Sequence, residues 1–262
     1  MSDALTVVKL GGAILADSAA VRDVWTGVAE LREAGPVLVV HGGGPQQTDI
    51  AARLGHSPRF VAGRRVTSDL DLQIALWALR GEINARLVAS ALEHGIPAAG
   101  TSGADGPTVF VQKRPPRVVD GETVDFGHVG DVVRVKPELV SAILAAGIVP
   151  VVSPVSTDAR GGLFNLNADT VAVELAVALR AARLLFVADA GGVFRDLADP
   201  TTRLDHLDST LAARGVAEGW IADGMRPKLD TGFDALGRGV ASVRIVAPAS
   251  LARDGDGSSL IA

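Results

Sequence analysis

The segment Leu5-Thr6-Val7-Val8-Lys9-Leu10-Gly11-Gly12 is a short apolar run that carries one lysine and ends in a pair of glycines. A continuously apolar run of this length is typical of a buried strand in a parallel sheet. Further along, such runs alternate with stretches of helical periodicity, as in Ala20–Ala34 followed by Pro36–Val40. The alternation predicts an α/β fold: a three-layer α/β/α sandwich with a central, mainly parallel sheet.

Two segments interrupt this alternation with patterns typical of β-hairpins. Pro58–Thr67 is short and basic, and Val109–Val135 carries the turn signal Asp120-Gly121. Asp69–His94 has helical periodicity with a break expected at Gly81, and Val240–Val246 is expected to be the last strand. The sequence has no repeat, low-complexity tract or linker, so we predict a single domain with β-hairpin decorations.

Composition excludes several classes of function. The chain has 262 residues, with 25 Lys+Arg against 30 Asp+Glu and a net charge of −5, so it lacks the basic excess of proteins that bind nucleic-acid backbones. It has no cysteine, which excludes disulfides, thiolate zinc sites and cysteine nucleophiles. It also has no tyrosine, and its five histidines are scattered, so we predict no metal site in the protein itself.

The sequence does not indicate a membrane protein. The first residues lack the basic and apolar regions of a signal peptide. The longest uncharged run, Leu139–Thr157, is interrupted by Gly147, Pro150 and Pro154. It is better interpreted as a helix, a turn and a buried strand than as a span of about 20 residues. We therefore expect a soluble, cytoplasmic protein that does not contact a membrane.

Three glycine clusters follow predicted strands: Gly11-Gly12, Gly42-Gly43-Gly44 and Gly191-Gly192. Glycine lets backbone N–H groups approach an anion closely, and a following helix N-terminus adds a favourable dipole. Ligands of open α/β sheets bind at the carboxyl ends of strands, so we expect the clusters to share one edge. The sequence has no P-loop, no G-x-S-x-G elbow and no H-E-x-x-H motif. Tight turns without a ligand remain an alternative for each cluster.

Two lysines stand where an anion would bind. Lys9 lies at the end of the first predicted strand, and Lys228 opens a predicted helix after Met225-Arg226-Pro227. Only four of the 25 basic residues are lysines, a weak sign that a compact ammonium is needed at these positions. A lysine that snorkels at a strand end and a surface lysine on a helix remain the alternatives.

Other polar residues extend the candidate site. Asn165 and Asn167 share strand parity and are expected to present a polar wall to a ligand. Asp169 opens an apolar helix, where it could equally be an N-cap. Arg64 and Arg65, in the short hairpin, offer a guanidinium fork for a carboxylate or form a solvated basic turn.

Five blocks occur in order along nearly the whole chain: Val8-Lys9-Leu10-Gly11-Gly12, His41-Gly42-Gly43-Gly44-Pro45, Gly63-Arg64-Arg65-Val66-Thr67, Asn165-Leu166-Asn167-Ala168-Asp169 and Asp223-Gly224-Met225-Arg226-Pro227-Lys228. Together they resemble the amino-acid kinase family, and within it the acetylglutamate kinases. The basic hairpin and the Asn-x-Asn-Ala-Asp block favour this branch over the carbamate, aspartate and uridylate kinases.

The resemblance implies phosphoryl transfer from MgATP to the side-chain carboxylate of N-acetyl-L-glutamate. The product would be N-acetyl-L-glutamyl 5-phosphate, an intermediate of arginine biosynthesis. The magnesium ion would be held mainly by the phosphates. Because a carboxylate needs no base to attack phosphorus, catalysis would consist of alignment and charge neutralisation.

The resemblance also implies roles for individual residues. Lys9 and Lys228 would stabilise the transferring phosphoryl group and the leaving oxygens, with Asp169 holding both ammonium groups. Arg65 and Asn165 would bind the acetylglutamate α-carboxylate. Backbone N–H groups for phosphate and substrate oxygens would come from Gly11, Gly12, Gly43 and Gly44.

The nucleotide would lie over the C-terminal half, near Asp189, Gly191 and Met225. Residues 1–155 would then form a substrate-binding and dimerisation lobe, and residues 156–262 a nucleotide-binding lobe. Arginine-inhibited members of the family carry an extra N-terminal helix that links dimers into a hexameric ring. Only eight residues precede Lys9 here, so the resemblance implies a homodimer that is insensitive to arginine. Two alternatives stay open. One is a kinase of lysine biosynthesis that acts on aminoadipate or glutamate attached to a small acidic carrier protein, which would bind the basic stretch 113–117. The other is a non-catalytic ligand sensor.

Overall fold

The computed structural model describes residues 4–221 and 224–261. Within these ranges the strands, numbered in chain order, are β1 (Thr6–Leu10), β2 (Val37–His41), β3 (Phe60–Val61), β4 (Arg64–Arg65), β5 (Ala98–Ser102), β6 (Val109–Lys113), β7 (Arg117–Val119), β8 (Glu122–Val124), β9 (Gly130–Val135), β10 (Val149–Ser153), β11 (Val155–Thr157), β12 (Leu163–Asn165), β13 (Arg183–Val187), β14 (Val193–Phe194), β15 (Arg203–Leu204), β16 (His206–Leu207), β17 (Ser242–Val246) and β18 (Ser258–Leu260).

The helices of the same ranges are α1 (Ser18–Ala34), α2 (Gly44–Arg53), α3 (Asp69–Ala75), α4 (Asn84–Glu93), α5 (Glu138–Ala145), α6 (Ala168–Ala178), α7 (Ser209–Glu218) and α8 (Arg226–Gly237). A π-helix, Leu76–Ile83, joins α3 to α4. Short 3₁₀ turns span Ile14–Ala16, Pro200–Thr202 and Pro248–Ser250.

The central sheet has the strand order β16-β18-β17-β13-β1-β2-β10-β5. The six strands from β17 to β5 run parallel, while β18 and β16 run in the opposite direction. Helices α1 and α4 cover one face, and α6 and α8 cover the other. The predicted α/β/α sandwich with a mainly parallel sheet is therefore confirmed.

Alternation along β1 divides its side chains between the two faces. Val7 lies in the core beneath α6 and α8, while Val8 and Leu10 lie in the core beneath α1. All three are fully buried, and each such side chain contributes about 1.5–3 kcal/mol through loss of apolar surface to water. Lys9 has the parity of Val7, so the pleat directs its side chain toward α6.

Both predicted hairpins are present at the expected positions, but the sequence did not predict all the strands with which they pair. Phe60 pairs with Arg65 in the short hairpin, and Asp120 and Gly121 form the β7–β8 turn with φ of 50° and 84°. The flanking strands β6 and β9, however, join β11 and β12 in a second sheet of order β12-β11-β6-β9. This sheet brings Asn165 toward the central strands.

Two sequence predictions are wrong. The helix does not break at Gly81, because residues 69–93 continue through the π-helix, with Leu79 and Ile83 buried against the core. Packing of these side chains outweighs the local tendency of one glycine to end a helix. Val240–Val246 is also not the last strand, since β18 pairs antiparallel with β17.

The uncharged run over residues 139–157 contains most of α5 and the strand β10, as predicted, and also a second strand, β11, that the sequence did not predict. Among the described residues, no helix has both the length and the apolar character needed to cross a bilayer.

Candidate functional site

Three parallel strands of the central sheet end at the same level. Leu10 of β1 is in register with His41 of β2 on one side and with Val187 of β13 on the other. The loops that follow these strands, which contain all three glycine clusters, therefore meet at one edge. This confirms the expectation that the clusters share the carboxyl edge of the sheet.

Lys9 forms a buried ion pair at this edge. Its Nζ lies 2.6 Å from Asp169 Oδ1, and the two side chains are only 6% and 7% exposed. The angle between the ammonium and Asp169 Oδ1 does not suit a hydrogen bond, so attraction between the two opposite charges holds the pair. Asp169 lies in the first turn of α6, where the helix dipole favours a carboxylate. The pair fixes an ammonium group beside the glycine loops.

Lys228 lies within electrostatic reach of this pair. Burial lowers the pKa of Lys228, the charge of Lys9 lowers it further, and Asp169 and Asp189 raise it. Its Nζ donates a hydrogen bond to Gly224 O at 3.0 Å. Among the described residues, Asp169 makes an ion pair with Lys9 and none with Lys228. Joint control of both ammonium groups by Asp169 stays a prediction.

The loop between β2 and α2 is shaped by close contacts. Gly43 has φ +153° and acts as the N-cap of α2, without any side-chain hydrogen bond to the helix start. A Cβ at Gly43 would collide with Leu79 and Ile83 of the π-helix, and one at Gly12 would lie 2.6 Å from Pro45 Cδ. Glycine is required at both positions, and the unsatisfied N–H groups at the start of α2 suit an anion.

A cavity of about 670 Å³ opens beside these loops. We call it the cationic cavity. It is lined by Lys9, Gly12, Gly42, Gly43, Gly44, Pro45, Gln47, Thr48, Phe60, Arg65, Leu79, Pro154, Asn165, Leu166, Asn167 and Ala168. Eight residues predicted from the sequence for the site thus line one space, namely Lys9, Gly12, Gly42, Gly43, Gly44, Arg65, Asn165 and Asn167.

Arg65 is held rigidly at the wall of the cavity. Its guanidinium donates to Thr48 Oγ1 at 2.8 Å, contacts Asp71 Oδ1 at 3.4 Å and stacks 4.8 Å from the centre of the Phe60 ring. Only 8% of the Arg65 side chain is exposed. Burial works against ionisation of Asp71, but hydrogen bonds from Ser68 overcome it and lower the pKa of the carboxyl. Asp71 therefore stays charged and fixes the guanidinium.

The two asparagines have different environments. Asn167 is the N-cap of α6 and accepts from Asp169 N–H at 2.7 Å, so Asp169 is not the N-cap and lies in the first turn. Asn165 ends β12, and its amide makes one long contact of 3.5 Å with Thr67 Oγ1. Its polar atoms therefore have capacity left for a ligand in the cationic cavity.

The remaining predicted residues lie outside the cationic cavity. Gly11, Asp189, Gly191, Met225 and Lys228 surround the end of β13 and the start of α8 instead. Asp223, from the last sequence block, lies outside the described residues. Across residues 4–221 and 224–261, no cluster of three or more His, Asp or Glu side chains could hold a metal ion.

Several supporting residues were not found by sequence analysis. Asp71 is part of a capping box with Ser68, whose Ser-x-x-Asp spacing is a detectable signal. Thr48 and Asn84 gave no local signal, because their partners are distant in sequence. His41 is fully buried, and this burial lowers its pKa to about 4, so the imidazole is neutral near pH 7.

These features define a class: an α/β/α protein with glycine loops and two largely buried cations, Lys9 and Arg65, around a cavity at the carboxyl edge of its sheet. The chain belongs to the amino acid kinase family, whose sequence profile matches residues 4–247. This confirms the resemblance drawn from the five sequence blocks.

The chain is similar to proteins named acetylglutamate kinase. It is 40% identical to that of Methanothrix thermoacetophila, with 93% of this chain and 85% of the relative aligned. It is 41% identical to that of Methanopyrus kandleri, covering 90% and 92%, and 40% identical to that of Anaeromyxobacter dehalogenans, covering 92% and 90%.

Solved structures share the fold. The N-acetylglutamate synthase of Neisseria gonorrhoeae, complexed with coenzyme A and N-acetyl-glutamate, superposes with a TM-score of 0.81 at 24% identity over all of this chain. This chain spans 60% of the length of that synthase. The carbamate kinase of Giardia superposes with a TM-score of 0.71 at 12% identity, covering 100% of this chain and 99% of the kinase. At these identities the likeness is one of fold.

The neutral His41 predicts a loss of stability in acid. The unfolded chain binds a proton at this histidine near pH 6.5 and the folded chain only near pH 4, so stability falls as pH drops between these values. The loss reaches on the order of 2 kcal/mol by pH 5. Urea unfolding at pH 7.5 and pH 5 measures it.

His41→Gln should show a smaller acid loss than the wild type, whatever its stability at neutral pH. His206→Gln, at an exposed histidine, is the matched control and should keep the wild-type loss. Equal losses in the wild type and His41→Gln would contradict a depressed His41 pKa.

Proposed function

We propose that this chain catalyses the reaction of the acetylglutamate kinases. It transfers the γ-phosphoryl group of MgATP to the side-chain carboxylate of N-acetyl-L-glutamate, giving N-acetyl-L-glutamyl 5-phosphate for arginine biosynthesis. The curated relatives named above, at about 40% identity over nearly the whole chain, support this assignment.

The charge of the cationic cavity is the observation that carries the proposal. Its ionisable lining residues are Lys9 and Arg65, both positive, and its described lining has no Asp, Glu or His. A dicarboxylate can therefore place one carboxylate at the fixed Arg65 fork and the other near Lys9. Arg65 suits the α-carboxylate because a planar fork can donate two parallel hydrogen bonds, with Asn165 beside it.

The same lining explains why the substrate carries an acetyl group. Free glutamate has an α-ammonium group, and the described lining offers no carboxylate to pair with it. Acetylation replaces this cation with a neutral amide. Apolar side chains of Phe60, Leu79 and Leu166 line the same space and suit the acetyl methyl group.

The chemistry requires alignment and neutralisation of charge. A carboxylate oxygen attacks the γ-phosphorus, the bond from phosphorus to the β–γ bridging oxygen breaks, and ADP leaves with that electron pair. No proton moves, so no general base is needed. Lys9 and Lys228 would neutralise the phosphoryl oxygens, while N–H groups of Gly43 and Gly44 would donate to substrate or phosphoryl oxygens.

The nucleotide would occupy the side of β1 that faces β13. Gly11 and Gly12 would donate N–H groups to the phosphates, and Asp189, Gly191 and Met225 would contact the rest of the nucleotide. Magnesium would arrive on the phosphates. Residues 156–262 would then serve as the nucleotide lobe and residues 1–155 as the substrate lobe. A cytoplasmic location stays a prediction.

The alternatives are less well supported. In the basic stretch at 113–117, Lys113 pairs with Asp125 at 2.9 Å, and Arg114 and Arg117 both pair with Asp131. Its charges are thus largely balanced within this chain, which weakens the case for an acidic carrier protein. A ligand sensor would not need the buried Lys9–Asp169 pair, which places a cation where a phosphoryl group would pass.

A homodimer is part of the proposal. Strand β5 lies at the edge of the central sheet, and such edges are usually covered in native proteins. Beside it, Val88, Leu92, Ile96 and Ile148 line an apolar groove, and Leu92 is 75% exposed. Two copies related by a two-fold axis would cover both β5 edges and both grooves.

The proposed activity is tested by ADP release with MgATP, which should depend on N-acetyl-L-glutamate. Lys9→Arg and Lys228→Arg should each lower kcat on the order of 10²-fold, because a planar guanidinium cannot place its charge where the ammonium sits. Lys136→Arg, at an exposed lysine, is the matched control and should keep normal turnover.

Absence of acetylglutamate-dependent ADP release in the wild-type protein would overturn the proposed function. Near-normal turnover of either variant would remove that lysine from the mechanism.

Arg65→Ala should raise the KM for acetylglutamate about tenfold or more with a smaller change in kcat, since a charge-assisted hydrogen bond to the α-carboxylate is lost. Steady-state kinetics measure both constants. Arg64→Ala is the control, because this neighbouring arginine is exposed and does not line the cavity. Equal KM values in the two variants would argue against the Arg65 contact.

Leu92→Glu should shift the protein from dimer to monomer in sedimentation velocity, because it places a charge in the apolar groove beside β5. Leu197→Glu is the control, since Leu197 is equally exposed, at 74%, but does not line that groove. A monomeric wild-type protein, or a Leu92→Glu variant that remains dimeric, would contradict this interface.

A further inference from the structure

His41 ends β2 directly before the glycine loop, and it is buried below the cavity. Its Nδ1 lies 2.9 Å from Gly42 O, and its Nε2 lies 3.0 Å from Asn84 Nδ2. A carbonyl oxygen can only accept, so Nδ1 carries the proton and Nε2 accepts from the Asn84 amide. Burial, which lowers the pKa of His41 to about 4, keeps this ring neutral.

Asn84 is itself fixed in one orientation. Its Nδ2 also donates to Val151 O at 2.9 Å, so the amide nitrogen must face His41 and the sheet. On the other side, Asn84 Oδ1 fills the position that a Cβ at Gly100 would take. The absence of a side chain at Gly100 in β5 therefore leaves the space that the Asn84 amide occupies. With its nitrogen donating, Asn84 selects the Nδ1–H tautomer of His41.

The π-helix places Asn84 and also contacts the loop directly. Asn84 is the first residue of α4, immediately after Leu76–Ile83. Within this segment, Leu79 and Ile83 press against Gly43 at the points where a Cβ would stand. Irregular π turns inside helices occur often at functional sites. One helical segment thus limits the position of Gly43 through Leu79 and Ile83 and, through Asn84, holds the histidine beneath the loop.

The bond from His41 determines where the next N–H group points. In a planar trans peptide, the C=O and the N–H point in opposite directions. Since His41 draws Gly42 O down toward the protein interior, the N–H of Gly43 points away from His41. Gly43 lines the cationic cavity, and no acceptor among the described residues takes its N–H. The N–H is therefore available to an anion.

We propose that His41 and Asn84 are a positioning pair that orients the Gly42–Gly43 peptide, so that the Gly43 N–H donates to an anionic oxygen of the bound substrates. The proposal rests on the proposed function for the identity of that oxygen, which belongs to the acceptor carboxylate or to the transferring phosphoryl group. Neither side chain touches the substrate, and both act through the peptide.

The tautomer is tested without any activity. Nitrogen-15 NMR of the unliganded wild-type protein at pH 7 should show a neutral His41 ring protonated at Nδ1, whereas free histidine favours protonation at Nε2. A ring protonated at Nε2, or at both nitrogens, would overturn the proposal. This measurement stands even if the proposed reaction is wrong.

Kinetics then test whether the orientation matters. His41→Leu should lower kcat between about 10- and 100-fold, with a smaller change in KM, because the misdirected donor acts on charge that develops during transfer. His41→Asn keeps an N–H near the position of Nδ1 and should retain kcat within about fivefold of the wild type. His94→Leu is the control, since His94 bonds to Ser90 O in the same way but at the far end of α4.

Thermal unfolding separates misfolding from misorientation. A folded His41→Leu protein with normal kcat, or a folded His41→Asn protein as slow as His41→Leu, would overturn the positioning role. If His41→Leu does not fold, the positioning role is tested by the kcat of His41→Asn and by the NMR chemical shift of the Gly43 amide. That shift should move on addition of N-acetyl-L-glutamate with MgADP in the wild type, and an unmoved signal in protein that binds these ligands would overturn the proposal.

Discussion

The buried ion pair between Lys9 and Asp169 is the constraint on which the rest of the site depends. It joins the end of β1 to the first turn of α6, two elements that are distant in sequence. Burying a charge this deeply is costly unless it is paired, and the carboxylate partner is in turn stabilised by the helix N-terminus. Fixing both charges holds an ammonium where little water can screen it, so its electrostatic attraction for an anion is strong.

The same arrangement occurs twice in the cationic cavity. Lys9 and Arg65 line the cavity, while their carboxylate partners Asp169 and Asp71 are buried behind them and do not line it. Each cation is thus neutralised enough to be buried yet presents its free side to the ligand. Rigid cations of this kind lose little rotamer freedom on binding, which favours tight alignment of two anions that repel each other.

The sequence predicted those parts of the site that are set by local pattern. The alternation of apolar runs predicted the sandwich, the glycines marked the ends of strands, and the end of the first strand placed Lys9 at the carboxyl edge of the sheet. The parts that were missed depend on distant contacts. Gly81 looked like a helix break because the contacts of Leu79 and Ile83 with Gly43 are invisible locally, and nothing around Asn84 indicates its bonds to His41 and Val151.

These two groups of residues do different work. Regular elements place the charges, because a strand end or a helix turn fixes the root of a side chain. A glycine loop cannot fix its own peptide planes in this way, since the freedom that lets Gly43 adopt φ +153° also admits other orientations. Selection must come from outside the loop. The structure supplies this selection through the contact of His41 with Gly42 O and through the π-helix side chains that press against Gly43. An irregular helix and a buried neutral histidine therefore fix the peptide planes that the glycine loop cannot fix by itself.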